Sequence, residues 1–301
     1  MNSTTVVAVH PVSAARQRVL DYLELTKPRV TTLVLVTVLA GFWLGMRSAA
    51  QLVLLAPLLC GTALAVGGAN ALNQWSERVP DALMERTRRR PLPSGRLHPE
   101  EARRFGLLSS VAGIVYVAVA VDALAGVLVA LSVACYVLVY TPLKRTTSLC
   151  TLVGAIPGAL PPAIGWAGAR GTLGLEAWAL FAISFVWQLP HFLAIAVLYR
   201  DDYARAGFRV LSIGDGNGLR TAHQTLLYAV VLLPVSLFPA LIGMAGARYF
   251  YSALLLGLAF LAVSLRAISL RTMPSTRRLF RASVLYLPLL LALLSMDKIA
   301  G

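Results

Sequence analysis

Long unbroken apolar runs, rather than alternation, set the rhythm of this chain. Nine of them have or approach spanning length: 30–46, 51–72, 105–121, 123–141, 149–168, 174–198, 222–244, 249–267 and 280–296. A helix needs about 20 apolar residues to cross the bilayer hydrocarbon. Because the runs are continuous, they predict helices; the strands of a membrane barrel would alternate. The fold class is therefore all-α, a polytopic membrane protein of nine transmembrane helices. Composition agrees, with 58% of the 301 residues apolar and 13% charged, against about 25% charged in soluble domains. One integral domain is expected over 21–301, after a disordered cytoplasmic N-terminus over 1–20. "DYLELTKPRV" (21–30) reads as a short interfacial helix broken at Pro28.

The net charge is +14, which on a soluble chain would suggest nucleic acid. Its placement excludes that partner. Of the 27 lysines and arginines, all but Arg47, Arg170, Arg248 and Lys298 fall in the N-terminus, in the segments after the second, fourth, sixth and eighth runs, or, for Arg266 and Arg281, at the run ends that border the last of these. This is the positive-inside pattern. It predicts a cytoplasmic N-terminus, an outside C-terminus and contact with anionic membrane lipids, in a bacterial-type plasma (inner) membrane. No cleavable signal peptide is evident, because the first long apolar run has spanning length. Cys60, Cys135 and Cys150 show neither pairing nor metal spacing and read as small packing residues. Within the runs the main ionisable group is His191, beside Gln188. A polar group at that depth is a functional hypothesis, while the lack of an intramembrane charge relay argues against an ion-coupled transporter.

The densest charge is "NQWSERVPDALMERTRRRPLPSG" (73–95). Asn73, Glu77 and Asp81 are spaced by four and stack on one face of a continuous helix. Two carboxylates and an amide oxygen are hard ligands that suit Mg²⁺, which keeps several waters and shares its shell with phosphate. Arg86, Arg88, Arg89 and Arg90 follow, and guanidinium groups grip phosphate oxygens in a fork. The same stretch without function would be a solvated, topology-setting loop. Two further loops on that side shift the balance. "YRDDYARAG" (199–207) brings Asp201 and Asp202, and "YTPLKRTT" (140–147) brings Lys144 and Arg145. Two acidic and two basic clusters on one face can clamp a diphosphate through metal ions and cations.

Together "DYLELTKPRV", "NALNQWSERVPDALMERTRRRPLPSG", "YTPLKR", "GAIPGALPPAIGWAG", "WQLPHF" and "DDYARAG" resemble the protoheme IX farnesyltransferase (heme O synthase) branch of the UbiA-type intramembrane prenyltransferases. The resemblance runs in order over residues 21 to 296. It implies a nine-helix bundle around a central cavity with a cytoplasmic-side cap. It also implies transfer of a farnesyl group from farnesyl diphosphate to a vinyl group of protoheme IX (heme b), with Mg²⁺ bridging the substrate. Heme A synthase or terminal-oxidase assembly would be the downstream partner. Carried over by position, Asn73, Glu77 and Asp81 match the first metal motif, and Asp201 and Asp202 the second. Arg86, Arg90, Lys144 and Arg145 match diphosphate-binding positions, with Lys27 and Arg29 as weaker candidates. His191 matches the histidine of "WQLPHF", where a neutral imidazole would ligate heme iron or orient a propionate; otherwise it is a packing histidine.

Two departures from the family pattern carry expectations of their own. Val79 stands where the family has a third acid, before Pro80. One carboxylate fewer should weaken Mg²⁺ binding, and the proline should disturb the stacking of Glu77 on Asp81. Further on, "FRVLSI" (208–213) replaces a proline-containing run, and Arg209 adds a cation. The alternatives are a UbiA-type enzyme with another aromatic or tetrapyrrole acceptor, or a non-catalytic heme-handling or transport paralogue.

Overall fold

The computed structural model describes residues 14–299. Its helices are α1 (Ala14–Leu25), α2 (Pro28–Gly45), α3 (Leu55–Leu83, entered through a 3₁₀ turn at Ala49–Leu54), α4 (Pro99–Ala120), α5 (Ala123–Ala134), α6 (Thr141–Leu143), α7 (Cys150–Arg170), α8 (Leu175–Leu198), α9 (Arg200–Arg205), α10 (Leu219–Leu241), α11 (Ala247–Leu270) and α12 (Met273–Met296). A π-helical turn, Cys135–Tyr140, joins α5 to α6. Among the described residues nine helices are long and apolar enough to cross a membrane, with α5, the π turn and α6 counting as one.

The predicted spans are recovered, with one large difference. The second run ended at 72, yet α3 continues to Leu83. Its polar extension stays helical because Asn73, Gln74, Glu77 and Asp81 face the bundle interior and find partners there. At the N-terminus, residues 1–13 of the segment expected to be disordered lie outside the described residues, and 14–20 belong to α1. Arg18 bonds Glu101, and Arg96 bonds both Asp21 and Glu24, tying α1 to the loop after α3 and to α4. Pro28 does not break a helix. It opens α2 at a position where its missing N–H leaves nothing unsatisfied. The break falls one residue earlier, at Lys27, whose φ of 49° is left-handed.

Helix packing follows the small residues, since lipid offers no hydrophobic drive between spans. Gly61, Gly68, Gly106 and Gly113 bring α3 and α4 to backbone contact. On α2, Gly41 and Gly45 face Pro162, Gly165 and Trp166 of α7, the most buried span. α7 also packs on α8, and α8 on α10 and α12. Between α2, α3, α5 with the π turn, α7, α8 and α12 a cavity of about 740 Å³ remains. Most of its wall is apolar.

The α2–α7 seam is testable. A Cβ on Gly41 would lie 1.9 Å from the Pro162 carbonyl oxygen, and one on Gly165 2.0 Å from that of Val38. Gly41→Ala and Gly165→Ala should each lower the thermal midpoint of the detergent-purified protein, on the scale of about 1–3 kcal/mol seen for overpacked sites. Gly214→Ala, with nothing within 4 Å of its Cβ, should leave it unmoved. Three equal midpoints would mean that α2 and α7 do not pack this closely.

Candidate active site

Pro80 removes one helical N–H but does not end α3, so Asn73, Glu77 and Asp81 stay on one face with relative exposures of 1%, 5% and 1%. The disturbance expected from the proline is absent. The expectation for Val79 changes as well. Val79 is 66% exposed, because two residues along a helix point to nearly opposite sides. An acid there would face away from Glu77 and Asp81, so its loss removes nothing from their site.

Each of the three buried polar groups holds a cation. Lys27 Nζ donates to Asn73 Oδ1 at 2.8 Å, Lys144 Nζ to Glu77 Oε1 at 2.7 Å and Arg90 Nη1 to Asp81 Oδ2 at 2.7 Å. Lys27 comes from the α1–α2 junction, Arg90 from the loop after α3, and Lys144 from the end of α6. Burial, then Arg90 and Lys144, lower the Lys27 pKa to about 7. At Lys144 burial also opposes the charge, but Glu77, Tyr140 and Tyr136 outweigh it and hold the ammonium well above its ordinary pKa. Asn73 Nδ2 donates to Thr141 Oγ1 at 3.1 Å, and that hydroxyl donates to the Tyr136 carbonyl at 2.8 Å. The π turn places the rings of Tyr136 and Tyr140 5.6 Å apart, stacked, with Lys144 Nζ 4.5 Å from the Tyr140 centroid. Both tyrosines line the cavity. The cationic cluster therefore stands beside an aromatic part of the cavity wall.

The remaining candidates divide. Asp202 is buried, accepts the Glu85 N–H at 3.2 Å and is paired with Arg205, so α9 docks onto the loop after α3. Asp201 is exposed. Arg86 is exposed and lies over the Tyr199 ring at 5.1 Å; Arg29 and Arg145 are exposed. The departing segment 208–213 adds no cation to the cluster. Phe208 is buried, 5.7 Å from Lys144 Nζ, while Arg209 is exposed and its backbone N–H donates to the Lys144 carbonyl at 2.7 Å. That segment buttresses Lys144 instead. His191 lines the cavity deeper in. Sequence reasoning passed over Tyr136, Tyr140 and Thr141, although two of them stand in "YTPLKR"; the π turn that aims them has no sequence mark here.

Among the described residues no three His, Cys, Asp or Glu side chains gather closely enough to hold a metal ion between them. The first motif nevertheless fits a cation. Asp81 Oδ1 is buried without a hydrogen-bond partner among the described residues, a cost normally avoided. Two carboxylates and an amide on one helix face match an ion that completes its shell with water and phosphate oxygens.

The UbiA prenyltransferase family model matches residues 34–290. A protein named protoheme IX farnesyltransferase from Solibacter usitatus is 46% identical over 287 residues, covering 92% of this chain and 98% of its own. One of the same name from Koribacter versatilis is 42% identical, covering 99% of each. Among solved structures, a digeranylgeranylglyceryl phosphate synthase shares the fold at a TM-score of 0.79 and 13% identity, over 93% of this chain and 98% of that one. A UbiA homologue from Archaeoglobus fulgidus, solved with DMAPP and Mg²⁺, does so at 0.64 and 16%, over 91% and 99%.

Asp81→Asn should keep expression and lower turnover by about 100-fold or more, the scale of losing one placed charge in a dry site. Val79→Asp should change neither turnover nor its Mg²⁺ dependence by more than about twofold, since that side chain points away. Steady-state rates across a Mg²⁺ titration check both. A clear gain from Val79→Asp would put residue 79 back in the site.

Proposed function

This chain belongs to the UbiA prenyltransferase family, and we propose that it transfers the farnesyl group of farnesyl diphosphate to a vinyl group of protoheme IX, giving heme O and diphosphate. The observation that carries this reading is the placement of Lys27, Arg90 and Lys144, with the amide and the two acids they bond, beside the Tyr136 and Tyr140 wall of an apolar cavity of about 740 Å³. A diphosphate with a long apolar tail matches that division. The names of the closely similar relatives support the heme acceptor.

The chemistry follows from the charges. Asn73, Glu77 and Asp81 would hold Mg²⁺, which when bound neutralises diphosphate oxygens. Lys144, Arg90 and Lys27 would turn from their carboxylate and amide partners to the phosphate oxygens and take up the charge that develops as the allylic C–O bond breaks. The exposed Arg86 would guide the diphosphate inward. The stacked faces of Tyr136 and Tyr140 lie where the carbocation forms, and a ring face attracts a cation. The apolar wall keeps water away until the vinyl carbon has bonded the farnesyl carbon. Water then adds to the new cation beside the porphyrin, and a proton is released. The second acidic loop, held to the turn after α3 through Asp202, would cover the charged cluster, with Asp201 at its surface.

The cavity lining includes Leu33, Val36 and Trp43 of α2 and Val284 of α12, all of them exposed. That seam would admit the farnesyl chain from lipid. The basic loops support a cytoplasmic N-terminus and charged end, an outside C-terminus and residence in a bacterial-type plasma (inner) membrane. Heme A synthase or terminal-oxidase assembly would take the product. No observation favours a transport reading, which would predict binding without turnover.

Membranes carrying the protein, given protoheme and farnesyl diphosphate, should yield heme O by chromatography and mass with Mg²⁺ and none with a chelator. Folded protein that consumes farnesyl diphosphate without heme O would point to another acceptor. Turnover that a chelator leaves untouched would remove the metal role.

A further inference from the structure

His191 is seven residues before the end of α8, about 10 Å below the charged end at the helical rise per residue. Its ring stacks on two others: Trp187 at a centroid distance of 5.4 Å and an angle of 19°, and Phe280 of α12 at 5.1 Å and 25°. Near-parallel stacking on two rings restrains the ring plane. Ser283 of α12 fixes what remains. Its carbonyl accepts the Trp187 indole N–H at 2.7 Å, and its hydroxyl oxygen lies 2.8 Å from His191 Nδ1. The same hydroxyl lies 2.7 Å from the Phe280 carbonyl oxygen.

These two short contacts decide the tautomer. A serine hydroxyl has one proton. The Phe280 carbonyl has none to give, so the hydroxyl proton must point to it. The contact to Nδ1 is then attractive only if Nδ1 carries the imidazole proton and donates it to Ser283 Oγ. The reverse assignment would press lone pair against lone pair at one of the two contacts. Nε2 therefore keeps its lone pair. It has no hydrogen-bond partner among the described residues, and His191 lines the cavity.

We propose that Ser283 is a positioning residue for His191, fixing the Nδ1–H tautomer so that Nε2 offers its lone pair to the iron of the porphyrin acceptor. The inference rests on the porphyrin acceptor proposed above. It goes further in assigning a ligand atom, the residue that orients it and the form of the acceptor preferred: a metalloporphyrin over the metal-free ring. A hydrogen bond at the distal ring nitrogen both orients a ligating imidazole and raises its basicity, and losing such a partner typically weakens metal binding about 10–100-fold. The Trp187 indole, bonded to the same residue, keeps the ring stack in register with Ser283.

The test uses the full-length protein in detergent. With only four histidines in the chain, ¹⁵N-histidine labelling reads the tautomer of the unliganded protein directly, and His191→Ala identifies the signal. Protonation at Nδ1 is expected; a proton on Nε2 would overturn the proposal without any variant having to fold. Hemin and metal-free protoporphyrin IX are then titrated separately. Ser283→Ala should weaken hemin binding about tenfold and leave protoporphyrin IX binding unchanged. His191→Ala should abolish the nitrogen-ligated heme spectrum, and Ser283→Thr should restore hemin affinity. Equal losses for hemin and protoporphyrin IX in Ser283→Ala would make Ser283 a packing residue and sink the idea. Heme O formation is scored independently. Iron-selective binding without heme O would remove the proposed reaction and keep the ligand assignment; heme O without iron selectivity would do the reverse.

Discussion

The structure depends on keeping two carboxylates and an amide charged, polar and buried on one face of α3. Desolvating such groups is expensive, and ion pairing within a protein interior seldom returns more than it costs. Lys27, Arg90 and Lys144 meet Asn73, Glu77 and Asp81 from three separate parts of the chain. That requirement fixes the α1–α2 junction, the loop after α3 and the end of α6 relative to one another. Apolar residues of similar size would hold these elements together at least as well. Stability alone therefore gives little reason for the cluster, which suits the charged ligand proposed for it.

The rest of the charged end serves that cluster. Arg96 and its two acidic partners hold α1 so that Lys27 can turn inward. The π turn carries Tyr136 and Tyr140 to the cavity wall and delivers Thr141 to Asn73; such turns recur at functional sites. Asp202 and Phe208 draw the loop after α8 over Lys144 and the turn after α3. Asp215 anchors the far end of that loop on Thr221; burial works against its carboxylate, but the Thr221 hydrogen bonds hold its pKa below the ordinary value.

The spans were legible because each is a local property: a run of apolar residues long enough for lipid. The stacking of Asn73, Glu77 and Asp81 was legible for a similar reason, since spacing by four is local. What the sequence left hidden depends on distant pairing. Helix α1 is polar, and its order comes from Arg96 and Glu101. The second run stopped at 72 by hydropathy, although the helix continues because its polar residues have partners across the bundle. Val79 looked like a missing ligand only while the helix was read as a string of positions; as a cylinder, it faces away. Arg86 and Arg145 share composition with Arg90 and Lys144, and composition cannot say which of two neighbouring cations turns inward.

Pairing ligands with cations also bears on how such a site could wait without substrate. An arriving anion coordinated to a divalent ion brings charges of both signs. The carboxylates can pass from lysine and arginine to metal while the cations pass from carboxylate to phosphate, so no group need be left buried and alone. Exchange of partners changes the net charge of the site little, which keeps the barrier to loading low in a region of weak screening. Departure of the diphosphate reverses it. Asp81 Oδ1, buried with no hydrogen-bond partner among the described residues, is an acceptor that the proposed metal ion would meet.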